Sequence, residues 1–275
     1  MERMNNPQNL EEMIGTITKT FVIAHEADSD EHLAQSLVFN AGRLAWRMRE
    51  AGITAQQKTN TTDIVTEADH AAEQFVSGAL AALRPDDGVL GEEGTSRAST
   101  SGKTWVVDPI DGTFNFASGS DYFCSALALQ EGDSVRFGAV HRPAMGYTWF
   151  GGPSIPTTRD SKPLAKLTSA ALPKLSLATY LHPSYMDSLC ETWTRVASKA
   201  GTLRMLGAGS IDLASVADGT LGAWMQHSVP AWDWLPGRAL IEGVGGRCES
   251  IDAGGVTWSI AGNPRAVEEM IAALS

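Results

Sequence analysis

The sequence predicts an α/β protein of the α+β type, in which helices and strands occupy partly separate stretches. Its 27 glycines in 275 residues are typical of a chain with many tight turns between short elements. Apolar residues recur at helical spacing in the first third, strand-like runs follow, and the second half alternates strand and helix. With 43% hydrophobic residues the chain is long enough and apolar enough to bury a large core.

The predicted elements divide the chain into an N-terminal extension (1–27), an N-terminal half (28–155) and a C-terminal half (156–275). We expect the first dozen residues to be frayed because they are polar. A helix is predicted from Asp30 to just before Gly52, and a second helix after Thr66, which stands in a capping-box relation to Asp69. Strands of the first half are predicted at residues 89–91, 104–108, 123–130 and 134–140, with strand-like sequence continuing to residue 150.

Residues 151–170 are rich in proline, glycine, serine and threonine, and they mark the predicted boundary between the halves. Beyond them the alternation of strand and helix is regular. Strands are predicted at 175–180, 202–206 and 221–225, and helices at 188–200, 210–218 and near 264–274.

Charge and cysteine content exclude several classes of protein. The formal net charge is -11 and no block of lysine or arginine occurs, so a nucleic acid is not expected as a partner. Three scattered cysteines argue against a disulfide framework and favour a reducing, cytoplasmic environment. No apolar run of membrane-spanning length and no apolar N-terminal segment is present, so neither a membrane protein nor a secreted one is expected.

Carboxylates follow apolar runs at three places, each time beside glycine or proline. They are Glu92 in GEEG, Asp108 and Asp111 in DPIDGT, and Asp233 in AWDWLPG. Strand ends are where α/β proteins bind ligands, because the loops there present polar groups from a rigid base. Carboxylates that converge repel one another unless a cation lies between them, and oxygen ligands favour Mg²⁺.

Pro109 extends the chain at Asp108, and the following turn would bring Asp108 and Asp111 together with the Ile110 carbonyl between them. A helix opening at Gly112 would offer backbone N–H groups to a phosphate. A simpler interpretation remains for single residues, since an aspartate before a helix is most often an N-cap. The three places together favour a metal site. The sequence leaves open whether Asp69 belongs to that site or only caps its helix.

At these residues the sequence resembles the inositol monophosphatase family of metal-dependent, lithium-sensitive phosphatases. The resemblance rests on DIVTEAD, GEEG, DPIDGTFNF and WDWLPGRALIEGVGG, in that order, and runs from about Leu33 to the C-terminus. It implies the layered αβαβα sandwich of the inositol monophosphatase and fructose-1,6-bisphosphatase fold, a homodimer, and Mg²⁺ ions between enzyme and substrate phosphate. It also implies direct attack by metal-activated water, with no covalent intermediate.

The resemblance assigns roles to individual positions. Glu92, Asp108 and the Ile110 carbonyl correspond to ligands of a first metal, and Asp108, Asp111 and Asp233 to ligands of a second. Thr113 with Glu92 corresponds to the pair that orients water, and Gly112 and Thr113 to the phosphate-binding amides. Lys58 and Asp63 correspond to a mobile loop that helps to place a further metal, and Asp69 is the third candidate residue for that loop or metal.

Three departures concern the alcohol half of the substrate. Gln226 stands where inositol-type members often carry glutamate, and Ser118 and Asp121 replace a usual histidine and proline. The expected substrate is myo-inositol monophosphate or a similar polyol phosphate. Histidinol phosphate, a sugar bisphosphate and a 3′-phosphonucleotide are alternatives, because the motifs read only the phosphate and the metals.

Other motifs give weaker signals. STSGKT at 99–104 lacks the first glycine of a P-loop, and the acids are not spaced as in an aspartyl nucleophile, D-x-D-x-T. GAGSID lacks the last glycine of a dinucleotide fingerprint, so Gly207 and Gly209 are interpreted as allowing backbone to approach a ligand. A binding module that lost turnover is the alternative from another class, and Mg²⁺-dependent phosphate release would exclude it.

Overall fold

A computed structural model describes the backbone of residues 7–52, 55–57 and 64–275, and the side chains of residues 10–52 and 66–275. Lys58 and Asp63, to which the sequence assigns a possible metal-placing loop, lie outside the described residues. Asp69, the third residue of that prediction, lies within them.

The described chain contains eight α-helices and fifteen strands, and a run of five strands without a helix follows α4. The helices are α1 Pro7–His25, α2 Asp30–Glu50, α3 Glu67–Leu83, α4 Thr113–Ala117, α5 Met186–Ala197, α6 Gly209–Ala217, α7 Ala231–Gly243 and α8 Pro264–Leu274. The strands of the first half are β1 Ala55–Gln57, β2 Ile64–Thr66, β3 Gly88–Gly91, β4 Ser96–Arg97, β5 Lys103–Asp111, β6 Cys124–Glu131, β7 Ser134–Arg142, β8 Tyr147–Gly152, β9 Ile155–Arg159 and β10 Lys162–Pro163. The later strands are β11 Ser176–Tyr180, β12 Thr202–Arg204, β13 Ala223–His227, β14 Arg247–Ala253 and β15 Val256–Gly262.

Two large sheets organise these elements. The first has eight strands in the order β10-β9-β8-β7-β6-β5-β3-β4, antiparallel except that β3 and β5 are parallel. The second has five strands in the order β12-β11-β13-β15-β14, with β11 parallel to both β12 and β13. Strand β5 lies inside the first sheet and β13 inside the second, so the acidic motif and Gln226 both start from central strands.

The layers follow from which helices pack on which sheet. Helices α2 and α3 cover one face of the first sheet, while α7 covers the other and also contacts α6. Helix α6 contacts β13 of the second sheet, and α8 packs on β14 and β15 beside α5. This arrangement is the predicted αβαβα sandwich. Among the described residues, no helix is both long and apolar enough to cross a membrane.

Helix α1 corrects the expectation that the first dozen residues are frayed, because residues 7–12 already belong to it. Ile14 and Phe21 are buried, and the Phe21 ring meets the edge of the Phe75 ring on α3 at 5.1 Å between centroids. The polar start of the segment hides this packing in the sequence, since the anchoring apolar residues come later.

Three further differences concern strand boundaries. Strand β5 does not end at Asp108 as expected but continues to Asp111, with a register shift between the two residues where Pro109 cannot donate to the ladder. Strands β9 and β10 extend the first sheet past the predicted boundary at 155. Strands β14 and β15 went unpredicted. The division into halves remains a proposal, and these strands favour a boundary after residue 163.

Candidate metal centre

Three aspartates meet where β5 ends and α7 begins. Asp108 and Asp111 come from β5, and Asp233 comes from the first turn of α7. One carboxylate oxygen from each lies within 4.8 Å of the other two. Asp108 and Asp111 are buried, and Asp233 is half-buried. The predicted convergence of Asp108 and Asp111 therefore extends to an acid more than a hundred residues further along the chain.

Burial raises the pKa of Asp108 well above its ordinary value, and the nearby charge of Glu92 raises it further. Burial also raises the pKa of Asp233, with a further contribution from Asp111. Oδ1 of Asp108 is buried and has no hydrogen-bond partner. An uncompensated carboxylate oxygen among like charges is costly, and a hard cation would satisfy it. The donor set thus fits the Mg²⁺ that the sequence predicts.

Asp111 is held by the start of α6. The N–H groups of Gly209 and Ser210 donate to its two oxygens at 3.2 and 2.5 Å, and the Cys124 thiol donates weakly at 3.8 Å. Burial raises the pKa of Asp111 to about 6, although the Ser210 amide favours the charged form. The amide of Gly209, a residue predicted to admit a ligand, is therefore engaged with a carboxylate.

Asp69 is not part of the aspartate cluster; its carboxylate caps helix α3. It completes the predicted capping box at the start of α3, accepting from the backbone N–H and hydroxyl of Thr66. Its Oδ1 lies 3.2 Å from the hydroxyl of Thr113, which also lies 3.0 Å from the Ile110 carbonyl. Burial raises the pKa of Asp69 to about 6. The helix cap and the site are thus joined through Thr113.

A cavity of about 520 Å³ opens over the aspartates. Ten of the predicted site residues line it, whereas Asp69 does not. These ten are Glu92, Asp108, Ile110, Asp111, Gly112, Thr113, Gly207, Gly209, Gln226 and Asp233. Gln226 reaches it from β13, where its backbone is paired with Tyr180 of β11.

Asp212 lines the same cavity and was missed by the sequence analysis. It is buried in the first turn of α6, and its Oδ1 accepts a 2.6 Å hydrogen bond from the Tyr122 hydroxyl. Burial raises the pKa of Asp212 to about 7. One sequence signal could have pointed to Asp212: it lies three residues after Gly209, in GAGSID, and the amides at the start of this turn of α6 contact Asp111.

Asn115 was also missed, although it belongs to the DPIDGTFNF motif. Its side-chain amide donates to the carbonyls of Leu206 and Tyr122 at 2.7 and 2.9 Å. It therefore ties α4 to the segment that precedes α6, and both segments line the cavity.

The donor chemistry of this cavity, with carboxylate oxygens gathered beside two sheets, fits a hard cation. The profile of the inositol monophosphatase family matches residues 27–275, which is most of the chain. The chain belongs to the inositol monophosphatase family, whose members are phosphatases.

Individual relatives agree with this membership. An inositol-1-monophosphatase of Mycobacterium leprae is 32% identical over 241 residues, covering 81% of this chain and 82% of the relative. A histidinol-phosphatase of Mycobacterium tuberculosis is 32% identical over 203 residues, covering 68% and 74%. The crystal structure of the extragenic suppressor protein suhB from Bartonella henselae superimposes with a TM-score of 0.81 at 23% identity, covering 89% and 97%. That last likeness concerns the fold alone.

Proposed function

We propose that the protein is a Mg²⁺-dependent phosphomonoesterase that hydrolyses a small phosphate ester. The observation that carries the proposal is that three aspartates each bring one carboxylate oxygen within 4.8 Å of the other two. Among them, Asp108 has a buried oxygen, Oδ1, without a hydrogen-bond partner. Membership in a family of phosphatases supports it. Bound Mg²⁺ would lower the pKa of water and neutralise phosphate charge.

The metal-holding residues of the proposal are Glu92, Asp108 and the Ile110 carbonyl on one side and Asp108, Asp111 and Asp233 on the other. Asp111 is positioned for this role by its two backbone donors on α6, which fix the carboxylate without neutralising it. Asp69 acts on this site through its contact with the Thr113 hydroxyl. We further propose that Lys58, Asp63 and Asp69 help to place an additional metal.

Glu92 and Thr113 are proposed to orient the attacking water, and the N–H groups of Gly112 and Thr113 to bind the phosphate. The contact of the Thr113 hydroxyl with Asp69 and with the Ile110 carbonyl supports this role, because it fixes the side chain at the edge of the acidic cluster. Gly207, Gly209, Gln226 and Asp233 complete the proposed surroundings of the substrate; the Gly209 amide acts through Asp111.

The charge of the cavity bears on the substrate. Among the lining residues in the described part of the chain, none is a lysine or arginine. A sugar bisphosphate or a phosphonucleotide with two phosphates would bring a second dianion with no basic side chain there to receive it. We therefore retain myo-inositol monophosphate or a similar polyol phosphate as the substrate, with histidinol phosphate as the second candidate.

The direct test is phosphate release from a panel of esters with and without Mg²⁺. We expect turnover of one monophosphate at least tenfold above that of fructose 1,6-bisphosphate, and none after removal of divalent cations. No release from any ester at millimolar Mg²⁺ would refute the proposal.

Rapid quench with a labelled substrate separates water attack from an aspartyl nucleophile, because only the nucleophile leaves a phosphoenzyme. The homodimer and the cytoplasmic location stay predictions. The free state of Cys124, Cys190 and Cys248 supports the reducing compartment.

A further inference from the structure

A buried glutamate on helix α3 contacts the turn that carries Glu92. This acidic turn, residues 92–95, joins β3 to β4. The two carboxylate oxygens of Glu73 accept hydrogen bonds from two backbone N–H groups of the turn, that of Glu93 at 2.8 Å and that of Thr95 at 2.9 Å. Glu73 is only 3% exposed, so its carboxylate is shielded from water. One side chain thus fixes the acidic turn at two points on either side of its tip.

Backbone hydrogen bonds fix the same turn to the first sheet. The Gly91 N–H donates to the Thr95 carbonyl at 2.8 Å, and the Glu92 N–H donates to the Val107 carbonyl of β5 at 3.2 Å. Strand β5 is also the strand that carries Asp108 and ends at the aspartate cluster. The position of Glu92 relative to that cluster therefore depends on β5 and on the two bonds from α3.

Gly91 shows how closely the Glu73 carboxylate packs against the turn. A Cβ atom built on Gly91 would overlap Oε2 of Glu73 and lie 2.5 Å from its Cδ, which is closer than Cβ atoms approach other groups. Gly91 lies in β3 and has no positive φ, so its backbone would accept an alanine. Only the carboxylate excludes a side chain there, and an alanine would have to displace it from its two donors.

Helix α3 also contacts the other residue of the proposed water-orienting pair. Asp69 lies one turn before Glu73 on α3 and is fully buried, and its Oδ1 accepts from the Thr113 hydroxyl at 3.2 Å. Residues four apart lie on the same face of a helix. One face of α3 therefore contacts both Thr113 and the turn of Glu92, and it relates the two in space.

A purely structural role for Glu73 is the simpler interpretation, because buried amide groups need acceptors. Glu269 on α8 illustrates that role: its Oε2 accepts from the Leu172 N–H at 2.8 Å, and neither residue lines the cavity over the aspartates. Glu73 differs because its donors belong to the turn of a residue that does line the cavity. The two interpretations predict different effects on metal affinity.

We propose that Glu73 is a positioning residue that places Glu92 for metal binding through the backbone of the acidic turn. The inference rests on the proposed phosphomonoesterase function, in which Glu92 holds a metal. Glu73 does not itself line the cavity, so it acts only through the turn. Groups that orient metal ligands without touching the metal commonly change metal affinity or activity by about 10- to 100-fold when they are altered.

The experiment compares Mg²⁺ binding to wild type and to Glu73→Gln by isothermal titration calorimetry. The glutamine keeps the size of the side chain and one acceptor oxygen, but its NH₂ group would face a backbone N–H, so one of the two bonds is lost. We expect the Kd for Mg²⁺ to rise about tenfold. At saturating Mg²⁺ the KM for a hydrolysed monoester should stay nearly unchanged, because Glu73 does not line the cavity.

A second variant tests the same contact without changing any charge. Gly91→Ala would displace the Glu73 carboxylate, so we expect its Kd for Mg²⁺ to rise as well. Glu269→Gln is the matched control, because it weakens a carboxylate-to-amide hydrogen bond away from the cavity. The control should lower Tm and leave the Kd for Mg²⁺ unchanged.

An unchanged Kd for Mg²⁺ in folded Glu73→Gln, with only Tm lowered, would overturn the inference, since Glu73 would then merely stabilise the turn. Circular dichroism checks the fold, and Gly91→Ala decides in the same way should Glu73→Gln not fold. Absence of both Mg²⁺ binding and phosphate release in the wild type would instead refute the proposed function, and the inference with it. The two failures are distinguishable because the first requires a wild type that binds the ion.

Discussion

The two parts of the cavity lining differ in how they are built. The acidic patch is formed by Glu92, Asp108, Asp111 and Asp233; Asp108 and Asp111 are buried and the other two are half-buried, and backbone donors hold Asp111. The apolar patch, formed by Tyr180, Pro183, Met205 and Leu206, lies at the end of β11 and in the segments that follow β11 and β12, where Tyr180 and Met205 are exposed. In the proposed function, the acidic patch would hold the metal and the phosphoryl group, and the apolar patch would lie on the side of the cavity left for the alcohol.

The largest loss of activity is expected when the acidic patch alone is altered. Asp111→Asn removes one negative charge with little change in volume, so we expect kcat/KM to fall at least about a hundredfold for every phosphate monoester alike. Phosphate release at saturating Mg²⁺ measures the loss, and circular dichroism checks the fold. Asp133→Asn, an exposed acid in the turn between β6 and β7, is the control and should retain wild-type rates. A variant at Asp111 that kept most of its rate would show that this residue holds no metal.

Metal binding should appear in stability as well as in activity. Mg²⁺ that binds only the folded chain stabilises it by about 2.7 kcal/mol at a hundredfold excess over Kd, which raises Tm by roughly 5 to 10 °C. Differential scanning fluorimetry with and without Mg²⁺ measures the shift. Asp108→Asn should lose most of it because the unpartnered buried oxygen belongs to this residue. An equal shift in wild type and Asp108→Asn would place the metal elsewhere.

A smaller effect is expected at Asp212, which lines the same cavity. Burial raises its pKa from 3.8 to about 7, so the folded chain binds more protons than the unfolded chain between those values. Stability from this group is therefore greatest at low pH and falls as pH rises through that interval. Asp212→Asn should remove this loss of stability at higher pH, and the asparagine keeps an oxygen that can accept from the Tyr122 hydroxyl.

The metal-free Asp212→Asn protein should be more stable than wild type by about 1 kcal/mol or more at pH 8, and nearly equal to it at pH 4. Thermal unfolding at both pH values in the presence of a chelator measures the difference, and Asp133→Asn again serves as the control. A difference that is the same at both pH values would mean that the pKa of Asp212 is not raised in the folded chain.

The acidic patch could be predicted because its chemistry is concentrated in short motifs. Pro109 restricts the backbone, Gly112 permits the left-handed turn that follows, and the two acids of DPIDGT lie on one strand. The capping box of Thr66 and Asp69 was likewise readable, since its partners are three residues apart. Local spacing was sufficient in each case.

The features that the sequence did not predict depend on contacts between residues that are far apart in the chain. Asp212 meets Tyr122 across 90 residues of sequence; Tyr122 lies in no motif, and Asp212 only ends the weak GAGSID pattern. The burial of Phe21 against Phe75 depends on how α1 crosses α3, which the polar start of α1 does not reveal. Tyr180 and Met205 are ordinary core residue types, and only the cavity shows that they stay uncovered.

The bonds from α6 to Asp111 have a consequence for assembly of the protein. The donors lie 98 and 99 residues beyond the acid they hold, and Asp233 lies further still. A nascent chain that ended before Gly209 would carry Asp108 and Asp111 but could neither restrain the second nor supply the third oxygen ligand. The proposed Mg²⁺ site would therefore be complete only after the last third of the chain has been synthesised and has docked on the first sheet.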